Sequence, residues 1–192
     1  MKNLRYLSIG AIAGAVLAGC STAPQPNRAH MLGANASASL PYTWSVGNAP
    51  QAHRDMVATF GKVGLKPGQD LWASSIPSDG DTRVVIERLT QMGYVYKGDK
   101  LIGVSTISTA KQGHITPLGE WTILEKRPFY RSKKYDNAPM PWMERIDEYG
   151  IALHGGGTPG FPESHGFIHL PMKFAAKLYT LTKIGTKVVI EG

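Results

Sequence analysis

The sequence predicts a mainly β domain with one late helix, preceded by an N-terminal segment of different composition. Its 192 residues include 22 Gly and 13 Pro, a frequency that is typical of short strands joined by many turns. Most apolar runs after residue 70 are short, rich in β-branched residues and bounded by turn formers. Helical periodicity is rare in the same region, so β structure is expected to dominate.

The elements follow from these patterns in chain order. Short strands are predicted at 70–74, 83–89, 92–96, 100–107, 120–124, 149–154 and 187–191. Two of them flank Lys97-Gly98-Asp99, which is a hairpin signal. A short helix is predicted over 51–60 and ends at Gly61. The late helix is predicted over 171–182, because proline is favoured at the first helical position and apolar residues then recur four apart.

The first twenty residues have the pattern of an export signal. Lys2 and Arg5 give a basic start, and residues 6–19 are apolar or small over a length too short to span a bilayer. The sequence Leu17-Ala18-Gly19-Cys20 resembles the bacterial lipobox, in which the cysteine is acylated and the chain is cut just before it. That resemblance implies a lipid anchor at Cys20, and a chance cysteine after an ordinary signal peptide is the alternative.

The lipobox resemblance also implies a location and a domain organisation. A residue other than Asp after the cysteine favours the outer membrane, with the protein facing the periplasm. We expect a signal peptide over 1–19, a flexible tether over 20–50 rich in Ala, Ser, Pro and Asn, a short helical lead-in over 51–69, and the folded domain over 70–192.

The charge and the cysteine content of the sequence limit the classes of binding partner and covalent cross-link that can be expected. The formal net charge is +7, and without Lys2 and Arg5 it would be about +5, a mild basic bias that suits peptides bearing carboxylates. Nucleic acid is not an expected partner, because no dense Arg and Lys run with interleaved aromatic residues stands out. One cysteine allows no internal disulfide.

The segment 151–171 carries the chemistry. A predicted strand ends in His154, three glycines follow as a flexible turn, and His165 and His169 lie at another predicted strand. Glycines let a backbone approach a ligand closely, and neighbouring histidines suggest proton transfer or metal binding. A metal site of His154, His165 and His169, with Glu163, is one open alternative.

Five ordered segments resemble the L,D-transpeptidases, which cross-link bacterial peptidoglycan through a cysteine acyl-enzyme. The main one is Ser164-His165-Gly166-Phe167 after His154, where the family has Ser-His-Gly-Cys. The other four are the strand 103–106, the turn 112–119 with its Thr-Pro-x-Gly, the flap-like segment 137–143 and the closing strand 185–190. The resemblance extends from about Asp70 to the C-terminus and implies an L,D-transpeptidase-like β-sandwich.

The resemblance assigns roles by position. His154 takes the place of the general base, and the backbone oxygen of Gly155 that of the acceptor which orients this histidine. Ser164 and His165 shape the loop, and the amides near Gly166 and Phe167 would form the oxyanion hole. Substrate contacts are implied for Ser164 and His169, and for Trp142 in the flap-like segment.

Two positions depart from the family pattern. Phe167 stands at the nucleophile position, and a benzyl side chain cannot attack a carbonyl carbon. Cys20 is no substitute, because the tether separates it from the domain and the lipid would occupy its sulfur. His169 stands where many relatives carry Arg, so recognition of a carboxylate is weakened. Without an acyl-enzyme, transpeptidation is not expected.

Several residues have a second interpretation. Phe167 could leave a pocket that binds without chemistry, or could simply fill the core. Ser164 could replace the nucleophile or could bond within its loop. Trp142 and Tyr130 could line a groove or pack internally, and His114 is interpreted as a turn residue.

The sequence therefore predicts a lipid-anchored envelope protein that binds peptidoglycan stem peptides or a partner enzyme, without a cofactor and without transpeptidation: a possible pseudoenzyme. An enzyme acting on the same peptides by unconventional chemistry, as a transpeptidase or a peptidase, is the first alternative. A structural lipoprotein that joins membrane and wall is the second.

Overall fold

The computed structural model describes residues 43–192. The predicted signal peptide, the predicted lipidation site Cys20 and most of the predicted tether lie outside this range. Within 43–192, no helix is long and apolar enough to cross a membrane.

Twelve elements are present in the described part of the chain. They are α1 (Asn48–Phe60), β1 (Asp70–Trp72), β2 (Thr82–Glu87), β3 (Met92–Lys97), β4 (Lys100–Thr106), β5 (Gly119–Thr122), β6 (Glu125–Arg127), β7 (Met143–Arg145), β8 (Ala152–Gly155), β9 (Ile168–Leu170), α2 (Met172–Leu181) and β10 (Lys187–Glu191). The predicted fold class, mainly β with one late helix, is confirmed.

The strands form two sheets. The larger has the order β1-β4-β3-β2-β10-β5, and its neighbours are antiparallel except for the parallel pair β2 and β10. The smaller has the order β6-β7-β8-β9, and only β8 and β9 are parallel. The β6–β7 hairpin therefore lies at the edge of the smaller sheet.

The larger sheet is buried on both faces. Successive side chains of a strand point to opposite faces, so Val84 and Ile86 of β2 join the main core while Val85 packs beneath α1. The main core includes apolar residues of β8, β9 and α2, among them Phe174 and Leu178. Burial on both faces explains why β2 is a nearly continuous apolar run in the sequence.

Two strands escaped sequence prediction. Glu125–Arg127 and Met143–Arg145 are mostly charged and show no apolar alternation, and tertiary pairing makes them β6 and β7. The first helix also begins earlier than predicted, at Asn48 instead of residue 51. Part of the segment assigned to the tether is thus ordered against the domain.

A carboxylate from the last strand explains this early start. The helix has no capping side chain of its own, because Gly47 occupies the N-cap. Glu191 instead accepts hydrogen bonds from the amides of Val46, Asn48 and Ala49, and from the side chains of Ser45 and Asn48. Burial alone would raise the pKa of Glu191, but these hydrogen bonds outweigh it and lower the pKa.

We expect Glu191→Gln to destabilise the domain by about 2 kcal/mol, because it removes the charge from a buried, multiply bonded acceptor and replaces one oxygen with a donor. Urea unfolding monitored by circular dichroism would measure the loss. Glu120→Gln is the matched control, since the Glu120 side chain is half-exposed in an ion pair with Lys187. Equal midpoints for the two variants would contradict the capping role.

Candidate functional site

The site is built on the only parallel pair of the smaller sheet described here. The register of β8 and β9 places His154 directly beside His169, with ring centroids 4.8 Å apart. Both side chains therefore leave the same face of the sheet. Parallel pairing brings together two residues that lie fifteen positions apart in the chain.

His154 is buried, and only one of its two ring nitrogens forms a hydrogen bond within the described residues. Its Nδ1 lies 2.9 Å from the carbonyl oxygen of Gly155, and because a carbonyl can only accept, Nδ1 carries the proton. Nε2 has no hydrogen-bond partner among the described residues. Burial lowers the pKa of His154 to about 4, with a further contribution from His169, so the ring is neutral at pH 7.

The glycine triplet leaves space for these groups. A Cβ on Gly156 would lie 3.0 Å from Cγ of His169, and one on Gly157 would lie 2.9 Å from a carboxylate oxygen of Glu163. Side chains at these two positions would therefore displace the histidine or the carboxylate. The turn is glycine-rich because it passes against both.

Ser164 is committed to its own loop. Its hydroxyl donates to the backbone oxygen of Phe167 at 2.6 Å and accepts from the amide of Gly166 at 3.1 Å. The Gly166 carbonyl in turn accepts from the Thr116 hydroxyl at 2.8 Å. The loop-bonding interpretation of Ser164 fits this geometry, and the Gly166 amide is engaged where an oxyanion donor would be expected. The sequence pattern indicates the Thr-Pro-x-Gly turn, but it does not indicate that the Thr116 hydroxyl positions the loop at Gly166.

Phe167 lies between His154 and the hairpin that follows β6. Its ring makes edge contacts with His154 at a centroid distance of 5.3 Å and with Tyr135 at 5.7 Å. The half-buried side chain also packs against the cluster formed by Met140, Met143 and Ala152. Phe167 thus occupies the space beside the His154 ring.

Two cavities meet at this ring. The outer cavity is about 470 Å³ and is lined by basic side chains that include Lys133, Lys134 and Arg145. The inner cavity is about 330 Å³ and is the one that contains His154 and His169. Residues that line both cavities form a wall between them: Ser132, Tyr135, Met140, His165 and Phe167.

His165 is exposed, and its ring contacts are with residues other than His154 and His169. It stacks on Tyr135 at 4.8 Å and touches the edge of His114 at 4.6 Å. In residues 43–192, no group of three or more His, Cys, Asp or Glu side chains is arranged to hold a metal ion. The described residues therefore give the metal alternative no support, and the ring of His165 stacks on Tyr135 instead.

Glu163 and His169 form a looser pair. Nδ1 of His169 lies 3.9 Å from a Glu163 oxygen, which is too long for a hydrogen bond. Burial lowers the pKa of His169, and Glu163 partly offsets this effect. His169 therefore offers no permanent positive charge in the inner cavity.

Trp142 is not brought to the site. Its ring packs against Tyr179 of α2 at 5.6 Å and against Phe129 at 6.1 Å, and it lines neither cavity. The substrate contact that the resemblance implies for Trp142 stays a prediction, and it would have to form outside these two cavities. Tyr130, its possible companion in a groove, does line the outer cavity.

A sequence profile described as YkuD, L,D-transpeptidase catalytic domain, matches residues 81–190, more than half of the chain. The chain belongs to the L,D-transpeptidase catalytic domain family. The match includes β2 to β10 and both histidine-bearing strands of the L,D-transpeptidase-like site.

Solved structures show the same fold. An L,D-transpeptidase from Mycobacterium tuberculosis aligns with a TM-score of 0.55 and 20% identity, over 58% of this chain and 57% of that one. One from Stackebrandtia nassauensis gives 0.55 and 22%, over 72% and 65%. One from Xylanimonas cellulosilytica gives 0.53 and 19%, over 60% and 63%. This chain therefore spans about three fifths of the solved L,D-transpeptidase chains it resembles. No curated protein matches the sequence.

Proposed function

We propose that this member of the L,D-transpeptidase family is a lipid-anchored envelope protein, held by Cys20 at the outer membrane and facing the periplasm. It binds peptidoglycan stem peptides and does not perform cysteine-based transpeptidation. The observation that carries the proposal is the Phe167 ring beside His154, at the position where the family pattern places a thiol.

The surrounding groups support loss of the covalent step. The only cysteine of the sequence is Cys20, far from position 167 in the chain. The Ser164 hydroxyl is buried and donates to a backbone oxygen, so it is not presented to His154 as a replacement. Acyl transfer needs an intermediate that persists until the acceptor arrives, and these residues offer no atom to hold it.

The outer cavity supports peptide binding. Lys133 and Lys134 are exposed at its border, and the aromatic and methionine side chains of Tyr130, Met140 and Met143 provide apolar contact area. Carboxylate-bearing peptides match a basic, partly apolar pocket of this size. The inner cavity, which is lined by His154, His169 and Glu163, contributes no fixed cation.

A second candidate rests on the unpartnered Nε2 of His154. A water bound there would be positioned for hydrolysis of a peptide bond without a covalent intermediate. The low pKa makes His154 a weak base, because burial disfavours the protonated form that proton abstraction must create.

Purified protein titrated with disaccharide-tetrapeptide muropeptides would test both candidates. We expect saturable binding by calorimetry, with no release of D-alanine. Lys133→Glu combined with Lys134→Glu should weaken binding at least tenfold, whereas Lys62→Glu combined with Lys66→Glu, at exposed sites elsewhere, should not.

The outcomes separate the candidates. D-alanine release that disappears in His154→Ala would replace the binding function with the hydrolytic one. Release that persists in His154→Ala would remove His154 from either mechanism. Absence of both binding and release would favour a structural role.

A further inference from the structure

The β6–β7 hairpin extends well beyond its two strands. The pairing of Glu125–Arg127 with Met143–Arg145 continues outward through backbone hydrogen bonds from Trp142 to Pro128, Met140 to Tyr130 and Ser132 to Ala138. The loop 133–137 forms its tip, with Asp136 and Asn137 at positive φ. Because β6 is an edge strand, this extension lies at the margin of the smaller sheet.

Its side chains alternate between two faces. Tyr130, Ser132 and Met140 are partly or fully buried and line the outer cavity. Phe129 and Arg131 lie between them on the opposite face and are exposed, Phe129 to 84%. The alternation follows because successive side chains of an extended strand point to opposite faces.

The outward face carries an apolar groove. Its volume is about 340 Å³, and it is lined by Phe129, Tyr130, Arg131, Pro139 and Pro141. Trp142 lies beside Phe129, which adds a third aromatic ring. Such a groove offers a large apolar surface and very few hydrogen-bonding groups.

One cation, Arg131, lines the groove, and Lys133 and Lys134 follow in the tip loop. Residues 126–135 contain five Lys and Arg residues and three aromatic residues, so the expectation that the chain has no such basic run is wrong for this segment. Arg131, Lys133 and Lys134 are exposed, and none of them forms a salt bridge within residues 43–192. Asp136 is the one acidic residue in the tip loop.

We propose that this outward face of the hairpin docks on an anionic lipid surface, with Phe129 at the boundary between headgroups and acyl chains and Arg131, Lys133 and Lys134 against the lipid phosphates. Exposed aromatic residues flanked by cations are the composition of interfacial membrane contacts. The proposal does not require acylation of Cys20. It shares Lys133 and Lys134 with the outer cavity, whereas Phe129 and Arg131 line only the groove.

The chemistry of the groove selects lipid over a glycan strand. A sugar ring brings several hydroxyl groups that need hydrogen-bond partners, and of the five lining residues only Tyr130 and Arg131 have side chains that can provide one. An acyl chain and glycerol backbone need only apolar contact there. The cations then neutralise the phosphates, each contributing roughly 1 kcal/mol near an anionic surface.

A local fluorescent probe tests the contact independently of any N-terminal anchoring. The full-length chain with Cys20→Ser lacks its only thiol, so Phe129→Cys in that background accepts an environment-sensitive NBD label at a single site. The matched control is Phe161→Cys, which is also exposed but lies outside the hairpin. Both are mixed with vesicles of phosphatidylglycerol and phosphatidylcholine, and with phosphatidylcholine alone.

We expect a blue shift and intensity gain at position 129 with the anionic vesicles only, and none at position 161. Combined Arg131→Glu, Lys133→Glu and Lys134→Glu should weaken binding in the anionic-vesicle titration by at least about 10²-fold, since three favourable charges are lost and repulsive ones replace them. The matched reversal of Lys62, Lys66 and Lys100 should change it little.

Three results would overturn the proposal. They are an equal response at positions 129 and 161, a response to neutral vesicles as strong as to anionic ones, and no response at 129. Displacement of the position-129 signal by soluble glycan strands would assign the face to peptidoglycan instead.

Discussion

Phe167→Cys is expected to restore acyl transfer by at least 10³-fold over the unaltered protein, because loss of a nucleophile from such a site costs on the order of 10⁶ in rate. The new side chain would lie beside the His154 ring, and Nε2 of that ring has no partner among the described residues and can accept the thiol proton. The thiolate then attacks the stem-peptide carbonyl, and the bond to D-alanine breaks. Mass spectrometry of the acyl-enzyme and D-alanine release measure the gain.

Two further variants make this result specific. Phe167→Ala opens the wall between the cavities without supplying a nucleophile, so it should release no D-alanine. Phe167→Cys combined with His154→Ala should lose most of the recovered rate. A Phe167→Cys protein no more active than Phe167→Ala would show that the loss extends beyond this residue, with His169 and the engaged Gly166 amide as the first suspects.

Acidification should destabilise the domain by about 3 kcal/mol through His154 alone. Its pKa is about 4 in the folded state and near 6.5 in the unfolded chain, so between these values only the unfolded state binds the proton. Stability is therefore fully present above pH 6.5 and is lost as the pH falls towards 4, at about 1.4 kcal/mol per unit. His169 acts in the same direction, because burial lowers its pKa too.

Urea unfolding at several pH values between 7.5 and 4 would measure this slope. His154→Gln should flatten it markedly, whereas His53→Gln, at an exposed position, should leave it unchanged. Glu191 adds a loss at lower pH because its hydrogen bonds lower its pKa, and buried Glu144 opposes this loss because burial raises its pKa. Parallel slopes for the unaltered protein and His154→Gln would mean that His154 does not control acid stability.

The strands could be predicted where their burial requires a recognisable pattern of apolar residues in the sequence. The β-branched run of β2 and the turn before β4 have local signatures, and both were located within one or two residues. The strands β6 and β7 have none, because their charged side chains pair across the hairpin and with α2: buried Glu144 binds Lys126 and Thr182. Their structure depends on partners that lie far apart in the chain.

The candidate site, too, could be predicted from the sequence only in part. The sequence indicated His154, the glycine turn and the departure at position 167, because these follow a spaced pattern. It could not show that Phe167 and Tyr135 separate two cavities, since Tyr135 comes from a hairpin with no strand signal. Nor could it show that the ring of His165 stacks on Tyr135, because an extended segment would have placed it on the same face as His169.

The contacts between residues 44–49 and the last two residues of the chain have a mechanical consequence. Trp44 exchanges backbone hydrogen bonds with Gly192, and Glu191 grips the start of α1. A pull on the chain at residue 43 is therefore borne first by β10, which lies between β2 and β5 inside the larger sheet. Tension from any N-terminal attachment would act on this interior strand before it reached His154 or the β6–β7 hairpin. The candidate site would therefore be little distorted by a force applied at residue 43.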